Sequence, residues 1–315
     1  MISIIMPVYN RSDIVEFSLD SIALQTLSQD EFEVIVVDDC STDNTIEVLN
    51  SYRKIKNFRV ISLEKNTGGP AVPRNVGIEN ASGKYVMFMD SDDIITQNAL
   101  SEMANYAAQD TDFVFLYVFA SGRKKLTERF INLYDNVPPQ KLTENAELDR
   151  FCLRCVTILN FYKRDLLMKS GLRFRPDIIL NEDLMFHRFY YSMINTAAIV
   201  GSKKACYFSP PKRSDCFTVT RKDDDYTFNI LDAILNTAYS LNREPVVSNR
   251  KFIKVVNNLI HVMIDNKMGE IDKFFAARFK NKDYVSFVKT DLLARKDWLH
   301  PNTLSFLELL YAVCT

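Results

Sequence analysis

The amino-acid sequence predicts an α/β fold, in which helices cover both faces of a mainly parallel β-sheet and a small helical portion follows at the C terminus. Three observations predict this class. Short apolar segments alternate with segments of helical periodicity over the first 120 residues. The strand segments are almost continuously apolar, as in strands that are buried on both faces. From about residue 223 onward, only helical periodicity remains.

Five segments are predicted strands, because each is short, rich in apolar residues and bounded by polar turns. They are Ile2–Met6, Glu33–Val37, Phe58–Leu63, Tyr85–Met89 and Asp112–Phe119. Pro7 is expected to end the first strand, because proline has no N–H to donate to a neighbouring strand.

The segments between these strands predict helices that each bury one apolar face. Ser12 or Asp13 can cap the first helix, Ser41–Asn44 offers caps for the second, and Thr96–Gln109 predicts a further one. Residues 120–215 are of mixed character. We therefore expect one domain over residues 1–220 and a helical region over residues 221–315.

The chain has 315 residues, with 39 basic and 40 acidic side chains and a net charge of −1. This balance excludes the basic footprint of a general nucleic-acid-binding protein. No uninterrupted apolar run reaches the roughly 20 residues that span a bilayer. The first residues do not resemble a signal peptide, and six cysteines are scattered along the chain, so we expect a cytoplasmic protein with reduced thiols.

Polar motifs directly follow three of the predicted strands. They are Pro7–Asn10, Asp38–Asp39 and Asp90–Asp93. Open parallel sheets bind ligands at the carboxyl ends of their strands, so the three motifs predict one binding site along one edge of the sheet.

Asp90, Asp92 and Asp93 lie within four positions at the end of an apolar strand. Ionised carboxylates this close repel one another unless a cation lies between them, which favours a divalent metal shared with a phosphorylated ligand. Asp92 is the better candidate ligand, Asp90 could contact the ion or a ribose hydroxyl, and Asp93 is expected to be structural. The alternative is a solvated acidic turn.

Two further motifs carry candidate ligand contacts. A carboxylate at position 38 or 39 can accept the N3–H of a pyrimidine base, although the motif could also serve only to cap the next helix. Gly68 and Gly69 let the backbone approach a ligand closely, and Arg74 could bind a diphosphate through two nitrogens. The alternative for this second motif is an ordinary junction between a loop and a helix.

Glu182 and Asp183 lie at the predicted start of a helix. One of them, and at most one, could take a proton from an attacking hydroxyl group as a general base. A helix N-terminus stabilises acidic side chains in any case, so a structural role is the alternative.

Four motifs, taken in their order along residues 1–183, resemble the motif set of the inverting family 2 glycosyltransferases. They are Pro7-Val8-Tyr9-Asn10, Val36–Asp43, Gly83–Asp93 and Asn181-Glu182-Asp183. The resemblance implies the nucleotide-sugar-binding fold called GT-A, with its catalytic domain over residues 1–220. Within the family, the segment from Gly68 to Asn75 is most similar to transferases that decorate wall teichoic acid with N-acetylglucosamine.

The resemblance also implies roles for individual residues. Those assigned to the nucleotide-sugar are Pro7, Val8, Tyr9, Asp39, Arg74, Asp90, Ser91 and Glu182. Asp92 and Asp90 are implied to hold Mn²⁺ or Mg²⁺, and Asp183 to be the base. Many relatives carry a histidine near residues 207–219, and this chain has none there. Lys212 or Arg213 could take the diphosphate contact instead, so the third metal ligand stays open.

The implied reaction moves a sugar from UDP-GlcNAc or a UDP-hexose to a hydroxyl of a cell-surface polymer such as teichoic acid or capsular polysaccharide. A non-catalytic nucleotide-sugar-binding subunit, a nucleotidyltransferase and one domain of a longer polysaccharide polymerase are the alternatives. The C-terminal helices could form an acceptor platform, a homo-oligomer interface or a peripheral contact with the membrane. Basic residues at Lys273, Arg278, Lys280 and Lys282 suit an anionic partner, or simply a solvated face.

Overall fold

The computed structural model describes residues 1–116, 119–121, 137–142, 159–178, 182–200, 207–209, 224–241, 249–264 and 286–314. The chain divides into two compact units. The first comprises Met1–Met168 and Ile194–Cys216, and the second comprises Lys169–Met193 and Phe217–Thr315. The basic residues between positions 273 and 282, and both Lys212 and Arg213, lie outside the described residues.

The first unit contains the described strands. They are β1 (Ile2–Val8), β2 (Phe32–Asp38), β3 (Phe58–Ser62), β4 (Tyr85–Phe88), β5 (Ile94–Ile95), β6 (Phe113–Leu116), β7 (Phe119–Ser121), β8 (Val137–Lys141), β9 (Phe161–Lys163), β10 (Thr196–Val200) and β11 (Tyr207–Ser209). The helices that accompany them are α1 (Val15–Ala23), α2 (Thr45–Ser51), α3 (Ala71–Asn80), α4 (Ala99–Ala107) and α5 (Arg164–Ser170).

Eight of the described strands form one sheet in the order β3-β2-β1-β4-β9-β6-β10-β8. The first four strands of the chain are parallel, as expected from their continuous apolar runs. The sheet as a whole is mixed, because β9 pairs antiparallel with both β4 and β6, and β8 pairs antiparallel with β10. The α/β prediction is confirmed. Three short strands form a second sheet in the order β5-β11-β7.

Helices cover both faces of the parallel part of the sheet. One face packs against α1 and α4 in a core that includes Ile4, Leu19 and Met103. The other face is covered by α3, whose Gly77 lies against Ile5 of β1. A Cβ atom added at Gly77 would lie 2.2 Å from the Cγ2 of Ile5, so the close approach of α3 to the sheet requires glycine.

The first strand does not end at Pro7, as the sequence predicted, but continues to Val8. Pairing with β4 covers Ile2 to Ile5 only, whereas pairing with β2 continues through Pro7 and Val8. Because backbone groups point to alternate neighbours, the missing N–H of Pro7 falls on the β4 side, where pairing has already ended. The proline is therefore compatible with continued pairing to β2.

The residues that directly precede the first two helices make no side-chain capping hydrogen bond. They are Ile14 before α1, which begins at Val15, and Asn44 before α2, which begins at Thr45. The hydroxyl of Ser12 donates instead to Asp43, which also accepts the backbone N–H of Ser12 at 3.2 Å and that of Thr45 at 3.0 Å. The polar side chains after β1 and β2 thus connect two loops to each other.

The described part of the second unit is mainly helical. It contains α6 (Glu182–Met193), α7 (Asp224–Leu241), α8 (Asn249–Ile264), a π-helical turn (Val288–Leu292), a 3₁₀ turn (Leu293–Trp298) and α9 (Pro301–Cys314). The apolar face that periodicity predicted on α7 is buried at Ile230, Ile234 and Ala238. Within the described ranges, none of the helices is both long enough and apolar enough to cross a bilayer.

Candidate functional site

The carboxyl ends of β1 and β2 lie side by side at one edge of the sheet. The N–H of Asp39 donates to the carbonyl of Val8 at 2.8 Å. The side chain of Asn10 joins the loop after β2, since its Oδ1 accepts the N–H of Thr42 at 2.8 Å. Pro7 and Val8 are buried within β1, whereas Tyr9 is 40% exposed just beyond it. The edge therefore presents an exposed aromatic ring next to a buried carboxylate.

The turns at this edge hold non-glycine residues in the left-handed region. Asn10 has a φ of 51° and Cys40 a φ of 61°, and they follow Tyr9 and Asp39 respectively. Asparagine tolerates this conformation, but for cysteine it costs free energy and persists only where surrounding contacts impose it. Here the N–H of Asn10 donates to the hydroxyl of Ser41 at 2.9 Å, which ties the two turns together.

Asp38 and Asp39 are both buried, but their carboxylates have different partners. Asp38 accepts the N–H of Ser41 at 3.1 Å and also the hydroxyl of Ser41, so it stabilises the turn after β2. Asp39 accepts the N–H of Thr67 at 3.0 Å and the hydroxyl of Thr67 at 2.8 Å. The tertiary structure thus assigns Asp38 to the turn and leaves Asp39 as the carboxylate that faces the loop from Asn66 to Pro70.

Burial raises the pKa of Asp39, and the neighbouring carboxylate of Asp38 acts in the same direction. The hydrogen bonds from Thr67 oppose that rise, because they favour the ionised form.

Nothing in the sequence pattern singled out Thr67 as part of the site. The only local signal is that it precedes Gly68, which adopts a φ of 82°.

Arg74 lies in the first turns of α3 and is only 3% exposed. Its Nη2 donates to Oδ1 of Asp90 at 2.9 Å, and the Asp90 side chain keeps 33% of its surface exposed. The buried guanidinium is therefore paired with a carboxylate of the acidic run. The pair connects the beginning of α3 to the carboxyl end of β4.

The acidic run after β4 forms a compact cluster. Asp90, Asp92 and Asp93 each offer a carboxylate oxygen, and these oxygens all lie within 4.8 Å of one another. The backbone of the run is tied down, since the N–H of Asp93 donates to the carbonyl of Asp90 at 3.1 Å and the Ser18 hydroxyl donates to the carbonyl of Ser91 at 2.8 Å. Hard oxygen donors so close together fit a divalent cation such as Mn²⁺ or Mg²⁺. Asp93, expected to be structural, belongs to the same cluster.

Glu182 and Asp183 are the first two residues of α6, as the sequence predicted. Glu182 is buried, and Asp183 accepts the N–H of Leu184 at 2.7 Å. Both residues belong to the second unit, whereas the cluster at Asp90–Asp93 and the carboxylate of Asp39 belong to the first. Their roles stay predictions from the family resemblance, as do those of Lys212 and Arg213.

Similar proteins in sequence include two transferases of poly(ribitol-phosphate). The chain is 30% identical to the poly(ribitol-phosphate) β-N-acetylglucosaminyltransferase TarS of Staphylococcus aureus strain MW2. The alignment spans 213 residues and covers 68% of this chain and 36% of that protein. It is 35% identical to a poly(ribitol-phosphate) β-glucosyltransferase of Bacillus spizizenii. That alignment spans 190 residues and covers 59% of this chain and 28% of that protein. The chain thus spans about a third of the length of these relatives.

Similar solved structures include residues 1–349 of S. aureus TarS in complex with UDP-GlcNAc, with a TM-score of 0.70, 22% identity, and coverage of 99% of this chain and 90% of that one. A second similar structure is the mannosyltransferase PcManGT of Pyrobaculum calidifontis in complex with GDP-Man and Mn²⁺. It has a TM-score of 0.53 and 17% identity, and the match covers 99% of this chain and 86% of that one. These likenesses confirm the predicted GT-A fold. Residues 3–171 match the profile described as "Glycosyl transferase family 2", and the chain belongs to that family.

Proposed function

We propose that this protein is an inverting glycosyltransferase that moves a sugar from UDP-GlcNAc or a UDP-hexose to a hydroxyl of a bacterial cell-surface polymer, such as teichoic acid or capsular polysaccharide. One observation carries the proposal. A buried carboxylate suited to a pyrimidine, an exposed aromatic ring and a three-carboxylate cluster all follow parallel strands of one sheet. Two of the similar proteins are named as transferases of poly(ribitol-phosphate), which supports a cell-surface polymer as the acceptor.

The nucleotide would bind at the ends of β1 and β2. The exposed ring of Tyr9 is suited to stack on a flat base, as aromatic side chains commonly do. Asp39 would accept the N3–H of uracil, and the buried Pro7 and Val8 would fix the position of the strand that presents Tyr9. Ser91 and Glu182 are proposed as further donor contacts from their positions in the family motifs.

The diphosphate would bind at the acidic cluster. Asp92 and Asp90, with Asp93 beside them, would hold Mn²⁺ or Mg²⁺, which neutralises the negative charge of the diphosphate leaving group. Arg74 keeps Asp90 in place through the 2.9 Å ion pair, and it adds positive charge near the cluster. Lys212 or Arg213 is proposed as a further diphosphate contact.

In the transfer itself, an acceptor hydroxyl oxygen forms a bond to the anomeric carbon while the bond from that carbon to the diphosphate oxygen breaks. Asp183 would accept the hydroxyl proton, and UDP would leave with the bonding electron pair. A single displacement of this kind inverts the configuration at the anomeric carbon. Residues 1–220 would form the catalytic domain, and residues 221–315 an acceptor platform or homo-oligomer interface, with the protein in the cytoplasm at the inner face of the plasma membrane.

A binding panel tests the donor class. The purified protein is titrated with UDP-, GDP- and CDP-sugars by thermal shift, with and without Mn²⁺, since a ligand of the folded state raises the melting temperature by mass action. We expect UDP-sugars to give the largest shift, with Mn²⁺ increasing it. Equal shifts from all three nucleotides would contradict the proposal.

Turnover separates an enzyme from a non-catalytic binding subunit. We expect the protein to release UDP from a UDP-sugar in an Mn²⁺-dependent reaction, and we expect Asp92→Ala to abolish this release. Asp30→Ala is a matched control, because Asp30 is an exposed aspartate that pairs with Lys56 at the surface. Binding of UDP-sugar without any release or transfer, with every acceptor polymer tried, would favour the non-catalytic subunit.

A further inference from the structure

Thr67 lies in the loop between β3 and α3 and donates twice to one carboxylate. Its backbone N–H is 3.0 Å from Oδ1 and 3.1 Å from Oδ2 of Asp39, and its hydroxyl is 2.8 Å from Oδ1. The same loop is anchored to the strand end by Asn66, whose Nδ2 donates to the carbonyl of Asp39 at 3.1 Å. Asp39 is therefore held by a loop that is distant in sequence.

The hydrogen-bond capacity of the Asp39 carboxylate leaves room for a ligand. An ionised carboxylate only accepts, and it has about four acceptor positions. The N–H and the hydroxyl of Thr67 and the N–H of Gly68 take up three of these positions, so at least one is left for a ligand. Such a group binds a ring N–H and repels a ring nitrogen that carries only a lone pair.

Two effects oppose ionisation of Asp39, and Thr67 acts against both. Burial raises the pKa of Asp39, and the charge of the adjacent Asp38 raises it further, although Asp38 is itself engaged by Ser41. The hydroxyl and N–H of Thr67, together with the N–H of Gly68, lower it. Among the described residues these are the groups that act on the Asp39 carboxyl, and the hydroxyl of Thr67 is the one a conservative substitution can remove.

We propose that Thr67 is a positioning residue that sets nucleobase choice, because it holds Asp39 as an acceptor-only group that selects the N3–H of uracil over the bare N3 of cytosine. This inference rests on the proposed function, in which Asp39 binds the base. When Asp39 is protonated, its O–H becomes a donor that suits cytosine N3 and no longer suits uracil N3–H. The preference for UDP over CDP must then fall as the pH falls through the pKa of Asp39.

The test measures the ratio of UDP to CDP affinity from pH 4.5 to 8 for the wild type, Thr67→Val and Thr67→Ser, by calorimetry with constant Mg²⁺. The two ligands share the diphosphate, so its titration cancels in the ratio. Protonation of cytosine N3 at the acid end of the range is the same for every variant, so the difference between variants reports on Asp39. Removing one hydrogen bond to a charged group raises the pKa by about one unit, so the Thr67→Val profile should move to higher pH by about one unit. Thr67→Ser retains the hydroxyl and should follow the wild type.

Controls separate this inference from the proposal beneath it. Thr26→Val removes an exposed hydroxyl that bonds to the carbonyl of Gln97, outside the site, and should leave the profile unchanged. A wild type that prefers UDP, with a Thr67→Val profile that coincides with it, would overturn the role of Thr67 while the proposed function stands. A wild type that binds neither UDP nor UDP-GlcNAc at pH 7.5 would overturn the proposed function itself.

Discussion

Glu33 is a buried carboxylate at the beginning of β2, and its replacement by alanine should destabilise the first unit strongly. The carboxylate accepts the hydroxyl of Ser3 at 2.6 Å, the N–H of Ser82 at 2.8 Å and the hydroxyl of Ser82 at 2.6 Å. It also pairs with Arg59 at 2.9 Å, but that guanidinium is half exposed, so the ion pair adds little. Glu33 thus connects β1, β2 and the loop before β4.

The magnitude follows from the donors that lose their acceptor. Glu33→Ala leaves the buried hydroxyl of Ser3 without this acceptor, at a cost of about 1–3 kcal/mol, whereas the donors of Ser82, an exposed residue, can bond to water instead. The free energy of unfolding should therefore fall by about 1–3 kcal/mol. Urea denaturation followed by circular dichroism at pH 7 measures this change directly.

The effect should also depend on pH, with a predictable sign. Burial raises the pKa of Glu33, but the hydrogen bonds from Ser3 and Ser82 outweigh burial and lower it overall, with help from Arg59. A lowered pKa in the folded state means that the stabilisation is complete above the unfolded value of about 4.3. It is lost as the pH falls through the folded pKa. The difference in free energy of unfolding between wild type and Glu33→Gln should therefore become smaller below about pH 4.5.

Glu31→Gln is the matched control, since Glu31 is exposed two residues before Glu33 and the substitution removes the same charge. We expect it to change the free energy of unfolding by less than about 0.5 kcal/mol. The reasoning from the buried hydrogen bonds would be refuted if Glu33→Gln were no less stable than Glu31→Gln at pH 7. It would also be refuted if the difference in free energy of unfolding between wild type and Glu33→Gln stayed constant from pH 7 to pH 3.5.

Three other predictions test the packing of the fold and the proposed chemistry. Gly77→Ala should lower the free energy of unfolding, measured in urea, by about 1–3 kcal/mol, because the new Cβ would lie 2.2 Å from the Ile5 side chain. Unchanged stability would show that α3 can move away from β1 at no cost. Asp183→Asn should abolish sugar transfer and leave UDP affinity within about threefold; near-normal turnover would exclude Asp183 as the base. Arg74→Gln leaves Asp90 without its cation, so it should weaken UDP-sugar binding about tenfold or more in calorimetry, whereas an unchanged affinity would contradict the role of this pair.

Local pattern was sufficient for the parallel half of the sheet. Strands β1 to β4 are short, apolar and separated by helices, and buried parallel strands require that composition whatever surrounds them. The family and the GT-A fold followed from the same segments, because the polar motifs come directly after the strands. The position of β9 between β4 and β6 was not predictable, since a three-residue strand carries almost no periodic signal and its partners are distant in sequence.

The sequence by itself determined which residues gather at the carboxyl edge of the sheet, because strand direction and chain order dictate where each motif emerges. Only the tertiary structure decided what each group does there. In the tertiary structure, Asp38 accepts hydrogen bonds from Ser41, whereas Asp39 accepts them from Thr67, and Arg74 forms an ion pair with Asp90. The physical reason is that a hydrogen bond or an ion pair forms over about 3 Å in space, and separation along the chain does not encode that distance.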